Sequence, residues 1–249
     1  MSGKRAGRTA ELATNLARVE ERISRACDIA GRARSEVTLV VVTKTYPAED
    51  VRDLAGFGLR QFAENRDQEA APKAAACADL PLNWHFVGQL QTNKVRSVVR
   101  YADYVHSVDR LRLVSALSSA VTRLGRGPVH CLIQVALEKE GQKPDEAGHS
   151  GRGGVAPEGV AELADAVAAA PGLRLAGLMT VAPLSGAYAG APAAAFERIG
   201  EISRSLRERH PAANMVSAGM SADLEEAIIA GATHVRVGSA VLGVRPTLG

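Results

Sequence analysis

Eight short runs of β-branched and aromatic residues, parted by stretches rich in Ala, Leu, Glu and Arg, constrain this chain more than any other feature of its sequence. The runs are VTLVVVT (37–43), RQFAE (60–64), WHFVG (84–88), YVHSV (104–108), VHCLIQVAL (129–137), LRLAGLMTVA (173–182), NMVSA (214–218) and THVRVG (233–238). Between them lie segments 48–56, 67–76, 92–100, 110–124, 157–170, 192–209 and 222–230, bounded by Pro, Gly, Ser, Thr or Asp as helices are. A further helix, at about 9–31, precedes the first strand. Strands that alternate with helices pair in parallel, and eight such units indicate a closed (β/α)8 barrel. The 249 residues would also suit two ordinary domains, but they are the usual length of one TIM barrel. The expectation is an α/β fold, a single barrel domain over residues 1–249 with an extra N-terminal helix. Flexibility is expected in the basic N-terminus, 1–8, and in the Gly-, Lys- and Glu-rich stretch 138–157, read as a mobile loop after the fifth strand.

Composition narrows what such a barrel does. Hydrophobic residues at 46% and charged residues at 23% are ordinary for a well-cored soluble chain and argue against disorder. The formal charge is only +3, from 30 basic and 27 acidic residues spread along the sequence, so no strong field holds nucleic acid or an anionic membrane. Cys27, Cys77 and Cys131 are odd in number, far apart and outside any metal-ligand spacing, which suits a reducing cytoplasm. The N-terminus MSGKRAGRTA leads into an amphipathic stretch, not the apolar core of a secretory signal. The long uncharged run 175–196 contains Pro183, Pro192 and Gly186, which would break a membrane helix.

Barrel chemistry sits at the C-terminal ends of the strands, and three features fall there. Lys44, one of only six lysines, closes the most apolar strand with the pleat parity of Val40 and Val42, so it is expected to point to the barrel mouth. Burial there would disfavour the ammonium and prepare a Schiff-base nucleophile; the competing reading is a snorkelling strand-end lysine. SAGMSADLEEA (217–227) runs from a strand through Gly219 into a helix expected to begin near Ser221, and VRVGSAVLG (235–243) ends a strand at Gly238 with Ser239 opening the last turn. Loops after strands seven and eight are the usual phosphate site of barrel enzymes, while turn glycines and N-cap serines are the plain alternative. Arg236 has the parity of His234 rather than of Val235 and Val237, so it is expected to point into the barrel. There it needs an acceptor, either a carboxylate such as Glu64 or a ring nitrogen of a bound heterocycle.

A lysine, a two-loop phosphate site and an inward arginine suggest a phosphorylated aldehyde, and the chain resembles the pyridoxal phosphate homeostasis protein family, stand-alone relatives of the alanine racemase barrel. The matching segments span nearly the whole chain: VVTKTYP (41–47), FAENRDQE (62–69), WHFVGQLQTNKV (84–95), VHSVDR (105–110), LIQV (132–135), GLMTVAP (177–183), SAGMSADLEEAI (217–228) and HVRVGSAVLG (234–243). The resemblance implies a barrel of the alanine racemase N-terminal type that binds pyridoxal 5′-phosphate, with Lys44 forming the internal aldimine and no metal. It implies that Asn65, His85 and Met179 line the cofactor pocket and that Arg236 faces the pyridine nitrogen. Ser217, Gly219, Met220, Ser221, Gly238 and Ser239 would then surround the phosphate. Lys94 is a secondary candidate, and Trp84 and Phe86 also read as core. Two departures from the family pattern touch the pocket rim: Ala136 follows LIQV where asparagine is usual, and the loop after it is longer and Gly-rich.

The implied function is intracellular homeostasis and delivery of the cofactor, by a monomer in the cytoplasm, with pyridoxal phosphate-dependent apoenzymes as recipients and without robust turnover. An arginine opposite the pyridine nitrogen leaves it unprotonated and the ring a poor electron sink. No second domain that would bring an acid/base to the other substrate face is read in the sequence. An amino-acid racemase and a Schiff-base aldolase acting on a phosphorylated sugar are the alternatives.

Overall fold

In the computed structural model, which describes residues 2–140 and 153–243, the eight runs form parallel strands in one closed barrel. They are β1 (Thr38–Val42), β2 (Gln61–Glu64), β3 (Asn83–Phe86), β4 (Tyr104–Val108), β5 (Val129–Gln134), β6 (Leu173–Met179), β7 (Met215–Ser217) and β8 (His234–Val237), and β8 pairs back onto β1. The helices are α1 (Ser2–Ile29), α2 (Ala48–Gly56), α3 (Asp67–Ala76), α4 (Val95–Val98), α5 (Leu111–Leu124), α6 (Val160–Ala169), α7 (Pro192–Arg209), α8 (Leu224–Ile229) and α9 (Ser239–Leu242). Their amphipathic spacing explains how they pack. In α5, Leu113, Val114, Leu117 and Val121 form one buried stripe, and Gly125, at φ 59°, ends the helix in the left-handed conformation.

Strand alternation sorts side chains between two cores. Leu39, Val41, Phe62, Val235 and Val237 face outward into an apolar layer shared with Leu54, Leu224 and Val241. Their alternates on the same strands, Val40, Ala63 and Arg236, face the barrel interior, where Val40 lies beside Arg236 and Ala63 beside His85. The interior is divided. Leu132, Ala176, Met179 and Met215 fill one sector with apolar atoms, while Gln61, His85, His106, Ser217 and Arg236 fill the other with hydrogen bonds.

The structure departs from the sequence reading mostly at element ends. The opening helix begins at Ser2, not near Thr9, so the segment expected to be a flexible basic tail is helical from Ser2 onward. The cause is charge pairing: Arg5 Nη1 and Arg8 Nη2 donate to the buried Asp50 carboxylate at 3.0 and 2.7 Å. Strands five and six stop at Gln134 and Met179, earlier than expected. Residues 92–100 split into a 3-10 turn, Thr92–Lys94, and the short α4. The helix expected near Ser221 starts at Leu224, because Asp223 closes a turn by accepting the Met220 N–H at 2.6 Å. Most of the expected loop 138–157 lies outside the described residues; what is described of it includes Val155, which bridges to Val135. Among the described residues no helix is long and apolar enough to cross a membrane, and all three cysteines are buried and free.

Candidate functional site

Lys44 lies two residues past the end of β1 and stands exposed at the barrel mouth. The burial expected of it is absent, because the chain turns outward there. No hydrogen bond or ion pair to another described residue holds its amine. The turn that carries it is held firmly. Thr45 has φ 66°, a conformation that costs a β-branched residue roughly 1–3 kcal/mol and needs outside support. Glu69 on α3 supplies it, accepting the Thr45 N–H at 2.8 Å. On the other side, Lys73 Nζ donates to the Thr43 carbonyl at 2.7 Å and to Glu64, and the Thr43 hydroxyl donates to the same Glu64 oxygen at 2.6 Å. Burial pushes the Glu64 carboxyl up, against the pull of Lys73 and Thr43, and its other oxygen is buried with no partner among the described residues. Glu64 was expected as an acceptor for Arg236; strand parity turns it instead to the helix layer, where Lys73 takes it.

Arg236 does point inward, and it anchors a hydrogen-bond chain whose direction is determined. A guanidinium only donates, so Ser217 Oγ accepts from Nη1 at 2.7 Å, and its hydroxyl donates in turn to His106 Nδ1 at 3.0 Å. His106 Nε2 must then carry hydrogen and donate to His85 Nδ1 at 2.8 Å, and His85 Nε2 donates to Gln61 Oε1 at 2.9 Å. Both histidines are neutral in this order. Burial, with smaller contributions from neighbouring histidines and, for His106, from Arg236, pushes each well below the ordinary imidazole value. Arg236 Nη2 donates to the Thr180 carbonyl at 2.7 Å. Burial lowers this guanidinium to about 10, which still leaves a cation at neutral pH. Its hydrogen-bond acceptors are a hydroxyl and a carbonyl, with no carboxylate among them.

Two turns meet next to the end of β1. Gly219, at φ 85°, has its absent Cβ only 2.6 Å from Ala227 Cβ, so no other residue lets the chain leave β7 this way. Gly238 lies against the Val42 carbonyl and opens α9. The Ser221 and Ser239 hydroxyls face each other at 3.3 Å, and the main-chain N–H groups of these two serines donate to no backbone partner among the described residues. Met220 is exposed and its N–H is taken by Asp223. Ser217, expected with the phosphate group, instead lies deeper and supports Arg236.

The other expected residues spread around this centre. His85 is buried, stacked at 4.3 Å on Tyr104 and one bond removed from Ser217 through His106. Met179 packs in the apolar interior sector. Asn65 and Lys94 line a cavity of about 460 Å³ with Glu69 and Gln89. The β2 and β3 ends approach so closely there that a Cβ on Gly88 would lie 2.0 Å from the Asn65 carbonyl oxygen. Trp84 and Phe86 are buried core residues.

Residues 14–246 match the family model described as alanine racemase, N-terminal domain. The pyridoxal phosphate homeostasis protein of Pseudomonas aeruginosa is 43% identical over 234 residues, covering 94% of this chain and 96% of that protein. The protein of the same name from Escherichia coli K12 is 37% identical over 245 residues, with 94% and 97% covered. This chain belongs to the pyridoxal phosphate homeostasis protein family. Among solved structures, PipY of Synechococcus elongatus with PLP bound superposes on this family member with a TM-score of 0.72 at 32% identity, covering 89% of this chain and all of that one.

Several residues that build this site have no role in the sequence reading, among them Thr45, Gln61, Glu69, Lys73, His106 and Thr180. His106 could have been found by parity with Tyr104 within YVHSV, since an inward histidine requires partners. Lys73, in the middle of a helix, gives no such signal.

Proposed function

We propose that this chain binds pyridoxal 5′-phosphate at the barrel mouth and serves in its intracellular homeostasis, holding and passing on the cofactor without enzyme-like turnover. The observation that carries this reading is Arg236, a buried cation with no carboxylate among its hydrogen-bond partners in the described residues, below a mouth that presents a lysine amine and two facing serine hydroxyls. Those donors fit the group. Lys44 would hold the aldehyde carbon, Arg236 would face the pyridine nitrogen as a donor, and Ser221 and Ser239 with the Gly219 and Gly238 turns would hold the phosphate. Met179 and His85 would back the ring from within the barrel, and Asn65 would lie at its edge. When bound, pyridoxal phosphate supplies an electrophilic aldehyde that a lysine amine captures.

The names of the relatives at 43% and 37% identity support homeostasis over a racemase or an aldolase. Delivery to pyridoxal phosphate-dependent apoenzymes is the use we propose for the held cofactor. The proposed working unit is a monomer in the cytoplasm, and the three free cysteines support a reducing compartment. The test is a visible-light titration with pyridoxal phosphate, followed by borohydride reduction and peptide mass spectrometry. A yellow complex with the reduced adduct on Lys44, lost in Lys44→Ala, is expected; an adduct on Lys94 or Lys139 overturns the assignment.

A further inference from the structure

Few direct bonds join the two serine turns. The Arg236 N–H on β8 donates to the Gly219 carbonyl at 2.9 Å, the serine hydroxyls meet at 3.3 Å, and the Ala240 N–H reaches Ser221 Oγ at 3.4 Å. The helix after the second turn, α9, is one turn long, too short to keep its own shape. A further tie to both turns comes from α1. Arg8, Asn15 and Arg22 recur every seven residues, so they form one row along the helix, about 10.5 Å apart. Arg8 Nη2 donates to the Leu242 carbonyl at 2.9 Å and Asn15 Nδ2 to the Val241 carbonyl at 3.2 Å. These are carbonyls at the end of α9 that have no helical partner of their own. Arg22 Nη1 donates to the Ser221 carbonyl at 3.0 Å, while its Nε and Nη2 grip Glu225 on α8 at 2.6 and 2.7 Å. Beside this row Leu12, Leu16, Val19 and Ile23 bury against the layer that includes Leu224, Ile228, Val241 and Leu242.

One helix therefore reaches the backbone of both turns. We propose that Arg8, Asn15 and Arg22 are positioning residues that hold the Ser221 and Ser239 turns in register, and so set the selectivity of the site for a phosphate monoester over the free alcohol. The inference rests on the pyridoxal phosphate reading above. None of the three bonds to a serine hydroxyl; their bonds to the two turns go to backbone carbonyls. Their effect comes from ordering donors before binding, so that the ordering does not have to be met by the phosphate itself. Arg8 is also bound to Asp50, so the cleaner probes are Asn15 and Arg22.

The experiment compares pyridoxal phosphate with pyridoxal, by titration of the full chain and of the double variant Asn15→Ala/Arg22→Ala. The double variant should bind pyridoxal phosphate about 10-fold more weakly while pyridoxal affinity changes less than about 2-fold. Inorganic phosphate should also compete less well in it. In the ligand-free protein, amide hydrogen exchange should quicken over 219–223 and 238–243, and Arg22→Lys should recover part of the phosphate preference. Equal weakening for both ligands, or unchanged exchange in the two turns, overturns the positioning role. A wild-type protein that binds both ligands equally refutes the phosphate site itself, whereas a preference that survives intact in the double variant refutes only the row.

Discussion

Two buried cations in this barrel are handled in opposite ways. Lys73, between β2 and α3, meets the Glu64 carboxylate and the Thr43 carbonyl, so its charge is neutralised within the fold. Arg236, inside the barrel below the mouth, meets a serine hydroxyl and a carbonyl, and the dipoles that answer its charge run away through two neutral histidines to Gln61. A charge answered by a countercharge is complete and serves the structure. One answered by neutral dipoles keeps a capacity to interact, and in a binding site that capacity is available to a ligand.

Breaking the first pair should have the largest effect. Glu64→Ala leaves Lys73 buried without a carboxylate and is expected to destabilise the protein by about 3–5 kcal/mol in urea unfolding. Restoring an apolar pair with Glu64→Leu/Lys73→Met should recover most of that loss, and a Glu64→Ala protein as stable as wild type would remove the contrast.

Arg236→Met probes the other cation. Because no carboxylate is left behind, its unfolding midpoint should stay close to that of wild type or rise. Pyridoxal phosphate affinity should fall about 10- to 100-fold, the worth of a hydrogen bond from a charged donor. A collapse of stability comparable to that of Glu64→Ala would show that both cations are structural.

The smallest effect, and the one that sharpens the account of the dipole chain, is pH dependence. His85 and His106 lie well below 6.5 in the fold, and His234 is lowered to about 4 by burial. In the unfolded chain these groups take up protons as pH falls through 6.5, while the folded protein does not until their depressed values are reached. Stability present above pH 6.5 should therefore be lost on acidification, by about 1.4 kcal/mol per pH unit for each histidine in that window. Urea unfolding at a series of pH values from 7 to 5 measures the slope, and His106→Gln should reduce it by close to one proton. An unchanged slope in that variant would mean that His106 is not held neutral by the chain.

Legibility differed between backbone and side chains for a physical reason. The limits of α2, α3 and α7 agree with the segments read from the sequence, because helix formers, prolines and glycines act over a few neighbouring residues. Parity alone was enough to turn Arg236 inward, since alternation along a strand is a local rule. The same rule, applied to Glu64, would have turned it outward to the helices. The exposure of Lys44 was not legible. It depends on where β1 ends and on Thr45 accepting a left-handed conformation that Glu69, 24 residues away, stabilises.

Periodicity and contiguous motifs suffice to specify the eight-unit barrel, the end of the barrel at which its unusual residues gather, and the family to which it belongs. Folding in three dimensions set which acceptors surround Arg236, that Ser217 bonds to it, and that α1 reaches both serine turns. These are meetings between residues from 19 to 234 positions apart. No local pattern specifies them, since strand order and barrel closure bring those side chains together.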